Sequence, residues 1–139
     1  MSTITSSNPT KMFISTTKEL MNDLIEAFPD MKTKIKSKLL MLESVEKSSG
    51  KILVGKYIKY VFPHLEKVIK KDDTLLTTDV CPPILKDLDI SVWWPVATND
   101  VKDTVWKYIH LLCLLSCKIH PQDANVENII QTVWSNNYC

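Results

Sequence analysis

The sequence predicts an all-α fold, a compact helical bundle of about five helices with an irregular central connection. Apolar residues recur at intervals of three and four over most of the chain, which is the period of one helix face. Prolines fall at the joints between these runs, where a missing backbone donor is tolerated. Residues 100–119 are apolar around most of a helical circumference, so that segment wants neighbours on more than one side. A chain of 139 residues is long enough to bury one continuous core. Residues 12–139 are therefore read as a single helical domain behind a flexible arm, 1–11.

The arm is rich in Ser, Thr and Pro and lacks the basic start and apolar middle of a secretory signal. A first helix is expected over Thr17–Phe28, carried by Leu20, Met21, Leu24, Ile25 and Phe28. Pro29 interrupts it or opens the second helix, since proline fits a first helical turn. That second helix runs through Lys47 on Met31, Ile35, Leu39, Leu42 and Val45, and Ser48-Ser49-Gly50 stops it. A third helical region begins near Lys51 with Leu53, Val54, Tyr57, Ile58 and Val61, then resumes after Pro63 with Leu65, Val68 and Ile69. Phe28-Pro29 with Ile35 and Phe62-Pro63 with Ile69 lie at an offset of 34 residues. With no further matched positions, they are read as two ordinary Phe-Pro junctions rather than a repeat.

Residues 72–99 are the irregular connection, punctuated by Asp72-Asp73, Cys81-Pro82-Pro83 and Trp94-Pro95, with a short helix expected only at Ile84–Leu88. The clearest helix follows, capped by Asn99 or Asp100 and carrying early negative charge that the helix dipole favours. Val101, Val105, Tyr108, Leu112, Leu115 and Ile119 form one stripe, with Trp106, Cys113 and Cys117 nearly opposite. The opposite side needs a second cover from another helix, from the 72–99 segment or from another chain. A last helix, Gln122–Trp134, offers Val126, Ile129, Ile130 and Val133 as a packing edge.

Charge is divided unevenly. Residues 1–71 carry 13 Lys and 7 acids, a balance of +6, whereas 72–139 carry 4 Lys and 9 acids, a balance of −5. All 17 basic residues are Lys. Without the planar fork of Arg, bidentate reading of guanine edges is disfavoured. No apolar run approaches the roughly 18 residues of a membrane span, so none is predicted. Cys81, Cys113, Cys117 and Cys139 are expected as reduced thiols, because no secretory signal or dense disulfide framework accompanies them.

His110, Cys113, Cys117 and His120 share one helical stripe and are metal-ligating types. Along a straight helix, however, the two His lie about 15 Å apart, so at most two adjacent members could share an ion, with further ligands from elsewhere such as Cys81 or His64. Buried free thiols are the more ordinary reading, and no metal or other cofactor is expected. A Cys-His nucleophile and base would also need an oxyanion pocket that no motif here provides. Ser48-Ser49-Gly50-Lys51 lacks the spacing of a phosphate-cradling loop. No enzymatic activity is expected. Lys32, Lys34, Lys36 and Lys38 form a basic band, which Lys51, Lys56 and Lys59 extend if the helices align. Such a surface can hold phosphates without sequence specificity and in a salt-sensitive way, or it can be an ordinary solvated face.

Phe28-Pro29-Asp30-Met31-Lys32, Phe62-Pro63-His64 and Lys102-Asp103-Thr104-Val105-Trp106-Lys107-Tyr108-Ile109-His110-Leu111-Leu112 resemble a group of uncharacterised helical proteins of large DNA viruses of eukaryotes. The similarity covers about residues 20–70 and 98–117. It implies expression in an infected cell, in the cytoplasm or virion with the nucleus as an alternative, and brings no catalytic site. The function expected is that of a viral accessory or virion-associated protein that binds a viral or host protein or a second copy of itself. The contact candidates are Trp93, Trp94 and Tyr138, with whichever of Trp106 and Trp134 stays on the surface. Trp93→Ala and Trp94→Ala are expected to disrupt a complex and leave the monomer folded. The alternative is nonspecific nucleic-acid binding by the Lys-rich half.

Overall fold

The computed structural model describes residues 8–48, 50–77, 81, 85–86 and 88–138, with the side chains of 45–48 outside that description. Its helices are α1 (Pro9–Ala27), α2 (Lys32–Ser48), α3 (Gly50–Val61), α4 (Leu65–Lys70), α5 (Thr74–Thr77), α6 (Ile90–Trp93), α7 (Asn99–Ile119) and α8 (Ala124–Tyr138). Short 3-10 turns stand at Pro29–Met31, Phe62–His64 and Trp94–Val96. Among the described residues there is no strand, and no helix is long and apolar enough to cross a membrane. The all-α class is as the sequence predicts, but about five helices is too few.

Prolines explain part of the difference. Each Phe-Pro junction tightens into a 3-10 turn, so Phe62–His64 splits the third helical region into α3 and α4. The connection also holds more order than its composition announces. Asp72 accepts from the Thr74 amide at 3.0 Å and its hydroxyl at 2.8 Å, opening the single turn α5 that buries Leu75 and Leu76. Two adjacent leucines are too short a run to show a period. Lys71 and Asp89 take positive φ, at 53° and 55°, and turn the chain at the end of α4 and the start of α6. Of the short helix expected at Ile84–Leu88, residues 84 and 87 lie outside the described residues, and Leu85, Lys86 and Leu88 stand in turns and a bend rather than a helix. Ser49 of the expected stop also lies outside the described residues.

Helix α1 begins eight residues before the expected Thr17. The Asn8 side chain accepts from the Lys11 amide at 3.1 Å, and Pro9 sits at the first helical position, where its missing donor costs nothing. Phe13, Ile14, Thr17, Leu20, Met21 and Leu24 then form one buried face. The Thr17 hydroxyl reaches back to the Phe13 carbonyl at 2.9 Å, which allows a polar residue in that face. Pro9–Lys11, assigned to the arm from sequence, are helical, and 1–7 lie outside the described residues. The helix stops at Phe28, whose backbone leaves the helical region as suits a residue before proline.

Helix α7 is the centre, packed against α1 along its length and also against α3 and α8. Thr98, rather than Asn99 or Asp100, caps it by accepting from the Val101 amide at 3.2 Å. Val105, Trp106, Ile109, His110, Leu112, Cys113, Leu115 and Ser116 are all buried, on both sides of the helix. The second cover comes from this same chain. Trp94 meets Trp106 edge-on at 6.4 Å, and Tyr57 of α3 donates to the Ile109 carbonyl at 2.9 Å with its oxygen 3.7 Å from Cys113 Sγ.

The two glycines of α3 have opposite consequences. A Cβ on Gly50 would fall 2.8 Å from Thr10 Cγ2 and 3.0 Å from Ile14 Cδ1, whereas one on Gly55 meets nothing within 4 Å. Gly55→Ala is expected to stabilise the protein by about 0.8–1.0 kcal/mol through helix propensity. Gly50→Ala is expected to destabilise it by about 1 kcal/mol through overpacking. Urea denaturation midpoints of the two variants check both signs.

Candidate functional site

The polar centre of the molecule is His110. Its Nε2 lies 2.9 Å from the Val68 carbonyl of α4, and its Nδ1 lies 2.8 Å from the Tyr138 hydroxyl in the last turn of α8. A carbonyl only accepts, so Nε2 carries the proton and Nδ1 accepts from Tyr138. Burial, partly offset by the Val68 bond and helped by the nearby Lys71 charge, holds this imidazole below its ordinary pKa. His110 is thus neutral at pH 7.

Around it runs a continuous aromatic seam. Phe28 meets Trp93 at 4.7 Å, Trp93 meets Trp94 at 6.0 Å, and Trp94 leads to Trp106. Trp106 lies 6.1 Å from His110, which leads through Tyr138 at 5.6 Å to Trp134, a further 4.6 Å away. These are the tilted and edge-on arrangements that ring quadrupoles favour. The Trp93 indole donates to the Leu88 carbonyl at 2.7 Å, while the buried Trp94 N–H has no hydrogen-bond partner among the described residues. Lys102 places its ammonium 5.6 Å from the Trp94 ring centroid.

The five aromatic contact candidates therefore meet in one seam rather than on one surface. Trp93, Trp94 and Trp106 are 5%, 2% and 3% exposed and belong to the core. Trp134 and Tyr138 are half-buried beside His110. The signal for this was in the spacing of Trp106 and His110, one helical turn apart. The partners Val68 and Tyr138 stand 42 and 28 residues away, where no local pattern reaches.

The His-Cys stripe disperses. His110 spends both nitrogens as described, Cys113 faces Tyr57, and His120 Nε2 lies 3.5 Å from the Lys51 carbonyl. Among the described residues no three His, Cys, Asp or Glu side chains converge on a point that could hold an ion. Burial pushes the Cys113 thiol up to about 12 and that of Cys117 up to about 11, with Glu127 adding to the latter. Both are protonated thiols, and His110 has no free nitrogen to serve as a base for Cys113.

A cleft of about 190 Å³ opens between α1 and α7, with Leu20, Leu24, Val101 and Val105 as apolar lining beside Asp23 and Asp100. The Tyr108 hydroxyl donates to Asp23 at 2.7 Å and ties the two helices at its edge. The cleft is smaller than the roughly 300 Å³ at which small-molecule sites begin.

The basic candidates are on the surface. Lys32, Lys34 and Lys36 are exposed, Lys38 is half-buried, and Lys34 pairs with Asp89. On α3, Lys51, Lys56 and Lys59 are exposed with Ile52 and Tyr60, and that helix contains no acid. Leu53, Val54, Tyr57 and Val61 occupy its buried face. Ile52, Lys56, Lys59 and Tyr60 consequently share the outward one, with the Lys59 ammonium 5.9 Å from the Tyr60 ring centroid.

No protein-family model, curated protein or solved structure matches the chain. The likeness to proteins of large DNA viruses stands on the quoted sequence segments alone.

Burial reverses the expectation that Trp93 and Trp94 can be truncated without harm to the monomer. Trp93→Ala and Trp94→Ala are each expected to cost about 3–5 kcal/mol of stability. Trp94→Phe, which keeps a ring and removes the orphaned N–H, is expected to cost much less. Thermal unfolding followed by circular dichroism ranks the three.

Proposed function

We propose that the protein works by binding another protein through the outward face of α3, without chemistry of its own. The observation that carries this reading is the composition of that face: Ile52 is 61% exposed and Tyr60 44%, among three exposed Lys and no acid. Exposed aliphatic and aromatic groups supply desolvation energy, and the Lys supply steering and selection of sign. The partner that fits is a protein segment carrying carboxylates beside apolar side chains. On the surface of α2, Leu40 at 68% exposure and Lys36 offer the same mixture. The infected-cell or virion setting implied by the sequence resemblance belongs to this reading, with the partner viral or host.

A nucleic acid is the second reading, favoured by one observation: among the described residues Lys51, Lys56 and Lys59 pair with no carboxylate. An exposed Tyr60 beside them is the kind of ring on which an unpaired base stacks. The two readings differ in their dependence on salt and on nuclease.

The test is affinity capture from infected cells with and without nuclease, using the wild type and a Lys56→Glu/Lys59→Glu variant. A protein partner is expected to survive nuclease treatment and to be lost on charge reversal while the variant melts like the wild type. Ile52→Ala is expected to weaken capture by roughly tenfold, the scale of a contributing interface residue. Partners retained in full by the double variant would overturn the reading. Capture abolished by nuclease, with direct binding to mixed-sequence nucleic acid that falls steeply with salt, would replace it with the second.

A further inference from the structure

Helix α8 is shallowly seated: Ile130 is its one buried residue among those described, and Val126, Val133, Trp134 and Tyr138 are half-buried. Its last turn is tied to the body of the fold by the bond between Tyr138 and His110. The same imidazole holds the Val68 carbonyl of α4, so one ring joins α4, α7 and α8. Only the neutral ring satisfies both partners as they stand. Protonation puts a hydrogen on Nδ1, which the Tyr138 hydroxyl can turn to accept, so what opposes the charge is its desolvation in a residue only 2% exposed, a cost relieved when α8 moves away. The Lys71 ammonium, 5.9 Å from the Tyr138 ring centroid, adds repulsion toward a second positive charge.

We propose that His110 is a pH-sensitive latch for α8, whose C-terminal turn is released from α4 and α7 when the imidazole is protonated. The inference is independent of the α3 face and of its partner. The groups around the latch are few. Lys71 faces it from the end of α4 and Asp103 acts on Tyr138 from α7. Burial, with Asp103 adding to it, pushes the Tyr138 hydroxyl up to about 12. The Cys113 thiol is equally raised, so neither titrates near neutrality.

The direction follows from linkage. The docked imidazole titrates below its ordinary value of 6.5, and a released one returns to it. The released state therefore binds the proton more readily, and docking is at full strength above about pH 6.5. As pH falls below that, docking weakens by up to about tenfold per pH unit until the docked ring itself is protonated. Released α8 would expose the Trp134 and Tyr138 end of the aromatic seam.

Hydrogen exchange of the full chain between about pH 7.5 and 5.0, corrected for the intrinsic pH dependence of amide exchange, tests this. Protection of α8 is expected to fall below about pH 6.5 by up to about tenfold per unit while that of α1 holds. In His110→Gln, which keeps a donor for Val68 and cannot titrate, the α8 protection is expected to be independent of pH. Unchanged α8 protection in the wild type, or a parallel loss in His110→Gln, would overturn the latch. If that variant does not fold, the His110 ring resonances of the wild type are followed by NMR alongside the Trp134 indole. The latch requires the two to shift with one midpoint below 6.5, and an indole that stays still through the His110 titration refutes it.

Discussion

Helix α7 leaves to water little more than its first turn and the sector of Asp103, Lys107 and Lys118, and the rest of the molecule is arranged by the need to cover the remainder. A helix with one apolar stripe can lie on a surface, but α7 buries residues on opposite flanks, from Val105 and Leu112 to Trp106 and Cys113. Helix α1 takes the first flank, and the other is closed by α3, α8 and the turn carrying Trp94. No single long helix does this second job. The chain instead uses several short pieces, which accounts for the division of 62–99 into turns around Pro63, Asp72 and Pro95.

Covering a helix in this way buries polar groups, and among the described side chains all but the Trp94 N–H are met by a partner of matching sense. Thr17 and Ser116 satisfy their hydroxyls on carbonyls one turn earlier in their own helices, at 2.9 and 2.7 Å. Tyr57 crosses from α3 to a carbonyl of α7, and His110 crosses to two other elements at once. The local solutions are cheap and rigid. The long-range ones tie elements together and depend on the protonation state of the groups involved, as at His110. A single neutral imidazole thus does structural work that a hydrocarbon side chain of the same size could not.

The same demand explains why Trp93, Trp94, Trp106 and Cys113 lie inside while most of the Lys are accessible. The Cys and Trp side chains that attract notice in the sequence are the large, polarisable groups that fill gaps around α7. Trp93, Trp94, Trp106 and Cys113 are drawn inward, and burial holds the Cys113 and Cys117 thiols protonated. On α3 what remains outside is a face of Lys broken by an aliphatic and an aromatic group, Ile52 and Tyr60.

Periodicity in the sequence was enough to determine the all-α class, the central helix within one residue at its start, and the inward faces of α1 and α3, though on α8 the expected packing residue Ile129 is 40% exposed. Those features follow from spacing within a few turns, which a linear pattern records. The caps were half legible: Asn8-Pro9 marked the start of α1 but was masked by a Ser- and Thr-rich surrounding, and Thr98 stood one residue before the expected caps of α7. Only the tertiary structure decided that Trp93 and Trp94 face inward, that Lys34 meets Asp89, and that His110 lies between Val68 and Tyr138. These pairings join residues tens of positions apart, so they depend on how the helices pack, and the sequence pattern within each helix carries no record of that. The second cover that α7 requires was therefore certain from its composition, while the identity of that cover, the chain's own α3, α8 and Trp94, came only from the packing.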